Sequence, residues 1–210
     1  KEGPEAKIKL NCDPDIFLKR LLLHAEWKDE SKWIDYKDEI IKMMPPLEIE
    51  NLIESEFINP FVFLQNLSLA SKQDDVLAFC SSGGTFTGAL QMSEIKLGQI
   101  ATTSAAHASM GYGLATAIGA AFACPQKRII ATEGEGGFVQ NLQELALLKK
   151  HRLNIKLFIF DNAGYASIRS TQKKFFDGKY IGCDPETGLA FPDWHQLFAA
   201  YDIPCNELRL

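Results

Sequence analysis

The segment from Arg128 to Tyr165 constrains the fold more than any other part of the sequence. It opens with a short apolar run, RIIA, that leads into the glycine-rich stretch TEGEGGF, as a buried strand does when it enters a tight turn. Residues 141–154 then place leucines at near-helical spacing, and the unbroken apolar run IKLFIF has the length of a strand. The segment therefore predicts a strand, a glycine turn, a helix and a second strand.

Two polar residues, Glu135 and Asn162, follow the two strands of this unit. A right-handed crossover returns the chain to a neighbouring parallel strand, so both residues are expected at the same edge of the sheet, facing each other. Gly134, Gly136 and Gly137 are expected to supply positive φ angles and close backbone approach, and the next helix opens with free N–H groups. Carboxylate, amide and carbonyl oxygens suit Mg²⁺ or Ca²⁺, so the edge favours a phosphate bound through a hard cation.

Composition excludes several other classes of function. The 210 residues are 46% hydrophobic and 23% charged, with a net charge of −5, so there is no electrostatic case for nucleic acid or an anionic membrane. Five scattered cysteines without a C-x-x-C pair favour reduced thiols in the cytoplasm. The polar start is unlike a signal peptide, and the most apolar stretch, residues 110–124, is too short for a membrane span.

The glycine turn and the asparagine carry a family resemblance. Gly134-Glu135-Gly136, separated by 25 residues from Asn162, resembles the Gly-Asp-Gly…Asn signature of thiamine diphosphate enzymes, and the wording of residues 136–172 resembles the acetolactate synthase branch. In that family the acidic residue, the Asn and a carbonyl two residues further on bind Mg²⁺ or Ca²⁺. The resemblance thus implies Glu135, Asn162 and the Gly164 carbonyl as metal ligands. The chain departs from the family in having Glu where the family has Asp, which puts the octahedral geometry that Mg²⁺ demands in doubt.

The same resemblance implies a set of cofactor contacts. After a predicted strand at residues 75–80, Gly83, Gly84 and Thr85 stand where the family has its first diphosphate-contacting turn. Ala108-Ser109-Met110-Gly111 matches a Gly-Thr-Met-Gly segment that meets the aminopyrimidine ring and props the cofactor in its bent form. The implied cofactor-binding residues are Gly83, Gly84, Thr85, Ala108, Ser109, Met110, Gly134, Gly136, Gly137, Asn162, Gly164 and Tyr165.

No catalytic residue is assigned by the sequence, but four side chains are candidates for the substrate pocket. His107 could face the thiazolium or a substrate oxyanion, although a structural histidine is the alternative. Ile168 could shape the pocket, while Arg169 or Gln172 could meet a carboxylate or a sugar hydroxyl. A solvated arginine remains the alternative for Arg169.

The expected fold is α/β, a doubly wound, mainly parallel sheet with helices on both faces. Residues 1–50 are expected to be the end of a central domain and a helical linker, in which Asp13-Pro14 and Ser31 predict helix starts and Pro45-Pro46 a stop. Residues 51–210 are expected to be the thiamine diphosphate-binding domain, truncated at its C-terminus. The resemblance implies at least a homodimer formed through a pyrimidine-binding domain absent here, and therefore an isolated fragment without activity.

The function implied for the complete enzyme is decarboxylation of a 2-oxo acid such as pyruvate and transfer of the two-carbon unit to an acceptor carbonyl. A non-oxidative 2-oxo acid decarboxylase and a non-catalytic scaffold that has lost its metal site are the alternatives. Residues 164–192 also resemble acetolactate synthase-like proteins of sugar-modifying pathways, which implies a keto-sugar nucleotide as acceptor. A nicotinamide-binding domain is disfavoured, because no glycine or alanine stands at the sixth place of Gly134-Glu135-Gly136-Gly137-Phe138-Val139.

Overall fold

A computed structural model describes residues 8–26, 29–53 and 55–208. The chain divides into two compact units, with the boundary between Pro45 and Pro46. The first unit contains two helices, α1 (Pro14–His24) and α2 (Ser31–Met43), and none of their residues is buried. As Asp13-Pro14 predicts, the Asp13 side chain caps α1 by accepting from the N–H groups of residues 15 and 16. The helix start predicted at Ser31 is confirmed, but Ser31, expected to be the N-cap of α2, is its first residue, and Glu30 is the N-cap.

The second unit is built on a four-stranded parallel sheet. Its strands are β1 (Val76–Phe79), β2 (Ile100–Thr102), β3 (Ile129–Gly134) and β4 (Ile155–Phe160), in the order β2-β1-β3-β4. The expected doubly wound α/β fold is confirmed. The β3 to β4 connection is the predicted crossover, with Gly134 in register with Phe160. The ends of β1, β3 and β4 therefore meet at one edge of the sheet.

Seven helices in the described residues surround this sheet. They are α3 (Pro60–Ala70), α4 (Gly83–Met92), α5 (Tyr112–Ala123), α6 (Glu135–Phe138), α7 (Leu145–His151), α8 (Ala166–Phe175) and α9 (Trp194–Ala200). Alternate strand residues point to opposite faces. Leu77, Phe79 and Ile130 pack with α3 and α4 on one face, while Ala78 and Ala131 pack with α5 on the other. Within the described ranges, no helix is both long and apolar enough to cross a membrane.

The helix predicted over residues 141–154 is shorter and interrupted. Residues 139–144 form a 3-10 helix, and regular α-helix covers only α7. The break lies at Asn141, whose φ of −134° is not helical. Its side chain donates to the carbonyl of Gly111 at 2.7 Å, so a tertiary hydrogen bond overrides the leucine periodicity of the sequence.

A partly buried ion pair joins Asp75 and Arg128, the residues that precede β1 and β3, at the opposite edge of the sheet. The Asp75 side chain, 2% exposed, accepts from Arg128 Nε at 2.9 Å and Nη2 at 2.6 Å, and from the backbone N–H of Lys72 at 2.6 Å. Burial raises the pKa of Asp75, but the bonds from Arg128 and Lys72 outweigh it and leave the pKa below its usual value. The ionised carboxylate therefore stabilises the fold at neutral pH.

We expect Asp75→Asn to lower the free energy of unfolding by about 2–4 kcal/mol at pH 7, because it leaves Arg128 without its charged partner. Because the folded-state pKa of Asp75 is depressed, its contribution begins to fall near the unfolded-state pKa of about 4, and the two proteins should converge only below the lower folded-state pKa. Urea unfolding at several pH values measures this, with the exposed neighbour substitution Asp74→Asn as control. An equal effect of both substitutions would contradict the assignment.

Candidate active site

Glu135 joins the two halves of the predicted motif. It opens α6 directly after β3, and its side chain is 1% exposed. Its Oε1 accepts from the backbone N–H of Asn162 at 3.0 Å and from that of Gly164 at 2.8 Å. Burial raises the pKa of Glu135, and the N–H groups of Gly164 and Asn162 offset part of that rise. The expected meeting of Glu135 and Asn162 at one sheet edge is present in the structure.

The glycines of the turn act through close approach and not through unusual φ angles. Gly134 has a φ of −84°, and neither Gly136 nor Gly137 has a positive φ, so that part of the prediction is wrong. A Cβ on Gly136 would lie 2.2 Å from Cε1 of Tyr165, and a Cβ on Gly137 would lie 2.5 Å from Oε1 of Glu133. The missing side chains make room for the ring of Tyr165 and the carboxyl of Glu133.

Gly164 does require the conformation that glycine allows. Its φ is +146°, and a Cβ there would lie 2.2 Å from the carbonyl oxygen of Cys183. That carbonyl accepts from the N–H of Tyr165 at 2.8 Å. The loop after β4 is therefore pressed against residues 183–184, which lie in the glycine- and proline-containing segment before α9.

The first glycine turn lies at the N-terminus of α4. Gly83 has a φ of +76°, a Cβ on Gly83 or Gly84 would meet nothing within 4 Å, and the N-cap residue Ser82 makes no side-chain capping bond. The Oγ1 of Thr85 lies 3.9 Å from where a Cβ of Gly134 would stand, so this turn borders the second one. Helix N–H groups without a side-chain cap, at an exposed turn, suit an anion.

The segment matched to the aminopyrimidine contact, residues 108–111, lies at the start of α5. Ala108 has a φ of +48° and Gly111 a φ of +77°, and the hydroxyl of Ser81 donates to the Ser109 carbonyl at 2.5 Å. Met110 is 42% exposed and so is not a core residue. His107 is exposed. The structure thus places the segment beside the end of β1, with the methionine side chain accessible.

Three candidates for the substrate pocket lie on α8. Ile168 is 42% exposed. Arg169 donates to Asn162 and Ala163, and Gln172 pairs with Ile181 by donating to its carbonyl and accepting from its N–H, each at 3.1 Å. Arg169 is therefore not a freely solvated arginine, and Gln172 holds the 181–187 loop. Helix α8 (Ala166–Phe175) is not among the elements predicted from the sequence above.

Glu133 is a site residue that sequence reasoning missed. It is 2% exposed, and its Oε2 accepts from the N–H of Gly113 at 2.7 Å, in the first turn of α5. Burial raises the pKa of Glu133 to about 7, partly offset by bonds from the N–H groups of Gly113 and Gly134. A carboxyl two residues after the apolar run RIIA, still ahead of the glycine turn, was the available signal. Glu133 ties the start of α5, and with it residues 108–111, to the glycine turn.

Residues from two sides of the edge could hold a metal. Among the described residues, no three His, Cys, Asp or Glu side chains group as metal ligands. A cation here would therefore rely on one carboxylate together with amide and carbonyl oxygens, a hard donor set. The acceptors of Asn162 already face a positive group, the guanidinium of Arg169. Glu135, Asn162 and the Gly164 carbonyl thus fit a hard cation in chemistry.

We expect Gly136→Ala to lower the free energy of unfolding by about 1–3 kcal/mol, because the new methyl group overlaps the Tyr165 ring. Gly119→Ala is the control, since a Cβ there meets nothing within 4 Å and alanine favours the helix. The double variant Gly136→Ala/Tyr165→Ala should recover part of the loss in urea unfolding. Equal stability of Gly136→Ala and the control would show that the ring moves aside without cost.

We expect Glu133→Ala to cost about 1–3 kcal/mol of stability, because it leaves the buried N–H of Gly113 without an acceptor. Glu133→Gln keeps an acceptor oxygen and should cost less. Chemical denaturation measures both, and hydrogen exchange at Gly113 reports the bond itself. Identical losses in the two variants would mean that Glu133 acts through packing alone.

Comparisons with known proteins show which family this chain resembles. A family model described as "Thiamine pyrophosphate enzyme, C-terminal TPP binding domain" matches residues 82–209, more than half of the chain. The chain is 40% identical over 95 residues to the acetolactate synthase large subunit of Cyanidium caldarium, which is 45% of this chain and 16% of that protein. It is 26% identical over 210 residues to chloroplastic acetolactate synthase 2 of Zea mays, which is 97% of this chain and 33% of that protein.

A solved structure shares the fold. It is the thiamine diphosphate-dependent 4-hydroxybenzoylformate decarboxylase of Rhodococcus jostii RHA1, with a TM-score of 0.60 and 19% identity, over 71% of this chain and 27% of that one. The chain thus spans a third or less of the length of these proteins.

Proposed function

The chain belongs to the thiamine pyrophosphate enzyme family through its C-terminal TPP binding domain, and is acetolactate synthase-like, and on that premise we propose that the edge formed by the ends of β1, β3 and β4 binds the diphosphate of thiamine diphosphate through a divalent cation. The observation that supports this most strongly is the pair of hydrogen bonds from Asn162 N and Gly164 N to Glu135 Oε1. They hold the acidic residue against the loop that contains the other two ligands.

In this proposal Glu135, the Asn162 side chain and the Gly164 carbonyl bind Mg²⁺ or Ca²⁺. The carboxylate of Glu135 serves two partners, since Oε1 holds the loop and the group also faces the ion. A cation there would oppose the effect of burial on the pKa of Glu135 and keep the carboxylate ionised. The side chain of Glu135 is longer than that of Asp, and Mg²⁺ tolerates less distortion of its coordination than Ca²⁺. The length of Glu135 therefore affects which of the two ions this site prefers.

The diphosphate would lie against the two glycine turns. Gly83, Gly84 and Thr85 offer the uncapped N–H groups of α4, and Gly134, Gly136 and Gly137 offer close backbone approach. Ser109 and Ala108 would contact the aminopyrimidine ring, Met110 would support the bend of the cofactor, and Tyr165 would border the second turn. Ser81 and Glu133 orient this segment from behind. Once bound, thiamine diphosphate supplies the carbon nucleophile and the electron sink.

For the complete protein we infer decarboxylation of a 2-oxo acid such as pyruvate and transfer of the two-carbon unit to an acceptor carbonyl. The support is the set of relatives named acetolactate synthase. His107 and Ile168 would then border the substrate. Because the chain spans only part of those relatives, activity is expected of the complete protein, as at least a homodimer, and not of this stretch alone.

The test is calorimetric titration of thiamine diphosphate into the full-length protein with Mg²⁺, with Ca²⁺ and with EDTA. We expect binding only with a divalent cation, and a loss of at least about tenfold in Glu135→Gln, because even changes behind a metal ligand typically cost 10–100-fold. Glu135→Asp should bind with Mg²⁺ at least as tightly as the parent protein. Glu94→Gln removes an exposed carboxylate elsewhere and serves as the control.

Two results would contradict the proposal. Absence of binding under every condition would leave a scaffold that has lost its cofactor. Binding that ignores EDTA and the Glu135→Gln change would place the cofactor elsewhere. An assay of pyruvate turnover tests the substrate separately. Metal-dependent cofactor binding without turnover would support the cofactor site and reject pyruvate as the substrate.

A further inference from the structure

The guanidinium of Arg169 lies on the oxygens of the loop after β4. Its Nη2 donates to the main-chain carbonyl of Asn162 and to the side-chain Oδ1 of the same residue, each at 2.8 Å, and its Nη1 donates to the carbonyl of Ala163 at 3.0 Å. The planar fork of arginine suits such a group of acceptors, and its charge is permanent. One positive group thus holds three oxygens from two consecutive residues.

One of these oxygens is a proposed metal ligand. Asn162 Oδ1 cannot give its full electron density both to a guanidinium and to a divalent cation, and two positive groups this close repel each other. Glu135 Oε1 fixes the same loop from the other side through the N–H groups of Asn162 and Gly164. The loop is therefore held between a carboxylate on its N–H groups and a guanidinium on its carbonyl groups.

We propose that Arg169 is a positioning residue that takes the place of the divalent cation at Asn162 Oδ1, holds the ligand loop in shape before the metal binds, and has to leave this oxygen when the metal arrives. This rests on the proposed metal site and adds to it a competition between a side chain of the protein and the ion. Arg169 would thus set how tightly the site binds its metal, although it is not a ligand.

The structure offers Arg169 a second partner close by. The position of a Cβ on Gly164 would be 2.6 Å from Arg169 Nη1 and 3.1 Å from the Cα of Asp184, so both residues border the same glycine. Asp184 lies in the 181–187 loop. Gln172, three residues after Arg169 on α8, forms hydrogen bonds with Ile181 of the same loop. If the guanidinium leaves Asn162, a rotation of the Arg169 side chain can bring it toward the Asp184 carboxylate, and α8 does not have to move.

The test compares Arg169→Met with the parent protein in two measurements on the full-length chain. Titration of Mg²⁺ at saturating thiamine diphosphate gives the apparent affinity for the cation. If Arg169 occupies Asn162 Oδ1 for about nine-tenths of the time, its removal should tighten that affinity on the order of tenfold. Thermal unfolding without metal should move in the opposite direction, to a lower Tm, because three carbonyl-type acceptors lose their donor.

Opposite changes in the two measurements are specific to competition. Weaker metal binding together with a lower metal-free Tm would mean that Arg169 supports the loop in both states, or binds the diphosphate, and would overturn the inference. Lys173→Met, which removes a positive charge from the same helix, should leave the apparent affinity for Mg²⁺ within about twofold if long-range charge is screened. An equal gain in this control would also overturn the inference.

A second variant keeps the test decisive if Arg169→Met does not fold. Arg169→Gln retains one neutral amide donor for the loop and should also bind Mg²⁺ more tightly than the parent protein, while Arg169→Lys keeps a positive charge and should gain less. A parent protein without metal-dependent cofactor binding would overturn the proposed function and this inference together. Metal-dependent binding in the parent protein with no gain in Arg169→Gln would overturn the inference alone.

Discussion

The second unit of this protein depends on how β3 ends. Its last residues, Glu133 and Gly134, and the first residue of α6, Glu135, place two buried carboxyls within three positions of the chain. Each is held by backbone N–H groups and not by a positively charged side chain. Such bonds recover part of the cost of burying a carboxyl, and what remains appears as raised pKa values. Burying these carboxyls thus costs stability, and it places one of them, Glu135, against the loop after β4.

The two carboxyls organise different parts of the site. Glu133 points back to the first turn of α5 and fixes the segment that precedes it, while Glu135 points across to the loop after β4. Gly136 and Gly137 follow because a Cβ at either position would collide with Tyr165 or Glu133. Segments far apart in sequence are therefore positioned by contacts with one short stretch of backbone. An extended cofactor that is held at several points needs such an arrangement.

Hydrogen-bond acceptors and donors are separated along this edge. Carbonyl and amide oxygens of residues 162 and 163 converge on Arg169, while Gly83 and Gly84 are exposed at the start of α4, which has no side-chain cap. One side of the site is thus prepared for positive charge and the other for negative charge. A diphosphate bound through a cation, as proposed, would satisfy both, and the guanidinium of Arg169 on these oxygens shows that they suit a positive group.

The sequence by itself determined the parallel α/β fold, the strand and crossover around residues 128–165 and the pairing of Glu135 with Asn162, because hydrophobic periodicity and the handedness of crossovers are local or nearly universal rules. Tertiary structure decided the rest. It interrupted the predicted helix at Asn141 and gave Gly134, Gly136 and Gly137 φ angles that are not positive. It also buried Glu133 against the start of α5 and placed the guanidinium of Arg169 on Asn162. These outcomes depend on hydrogen bonds between residues far apart in the chain or across a helix start, and no sequence period encodes which donor finds which acceptor.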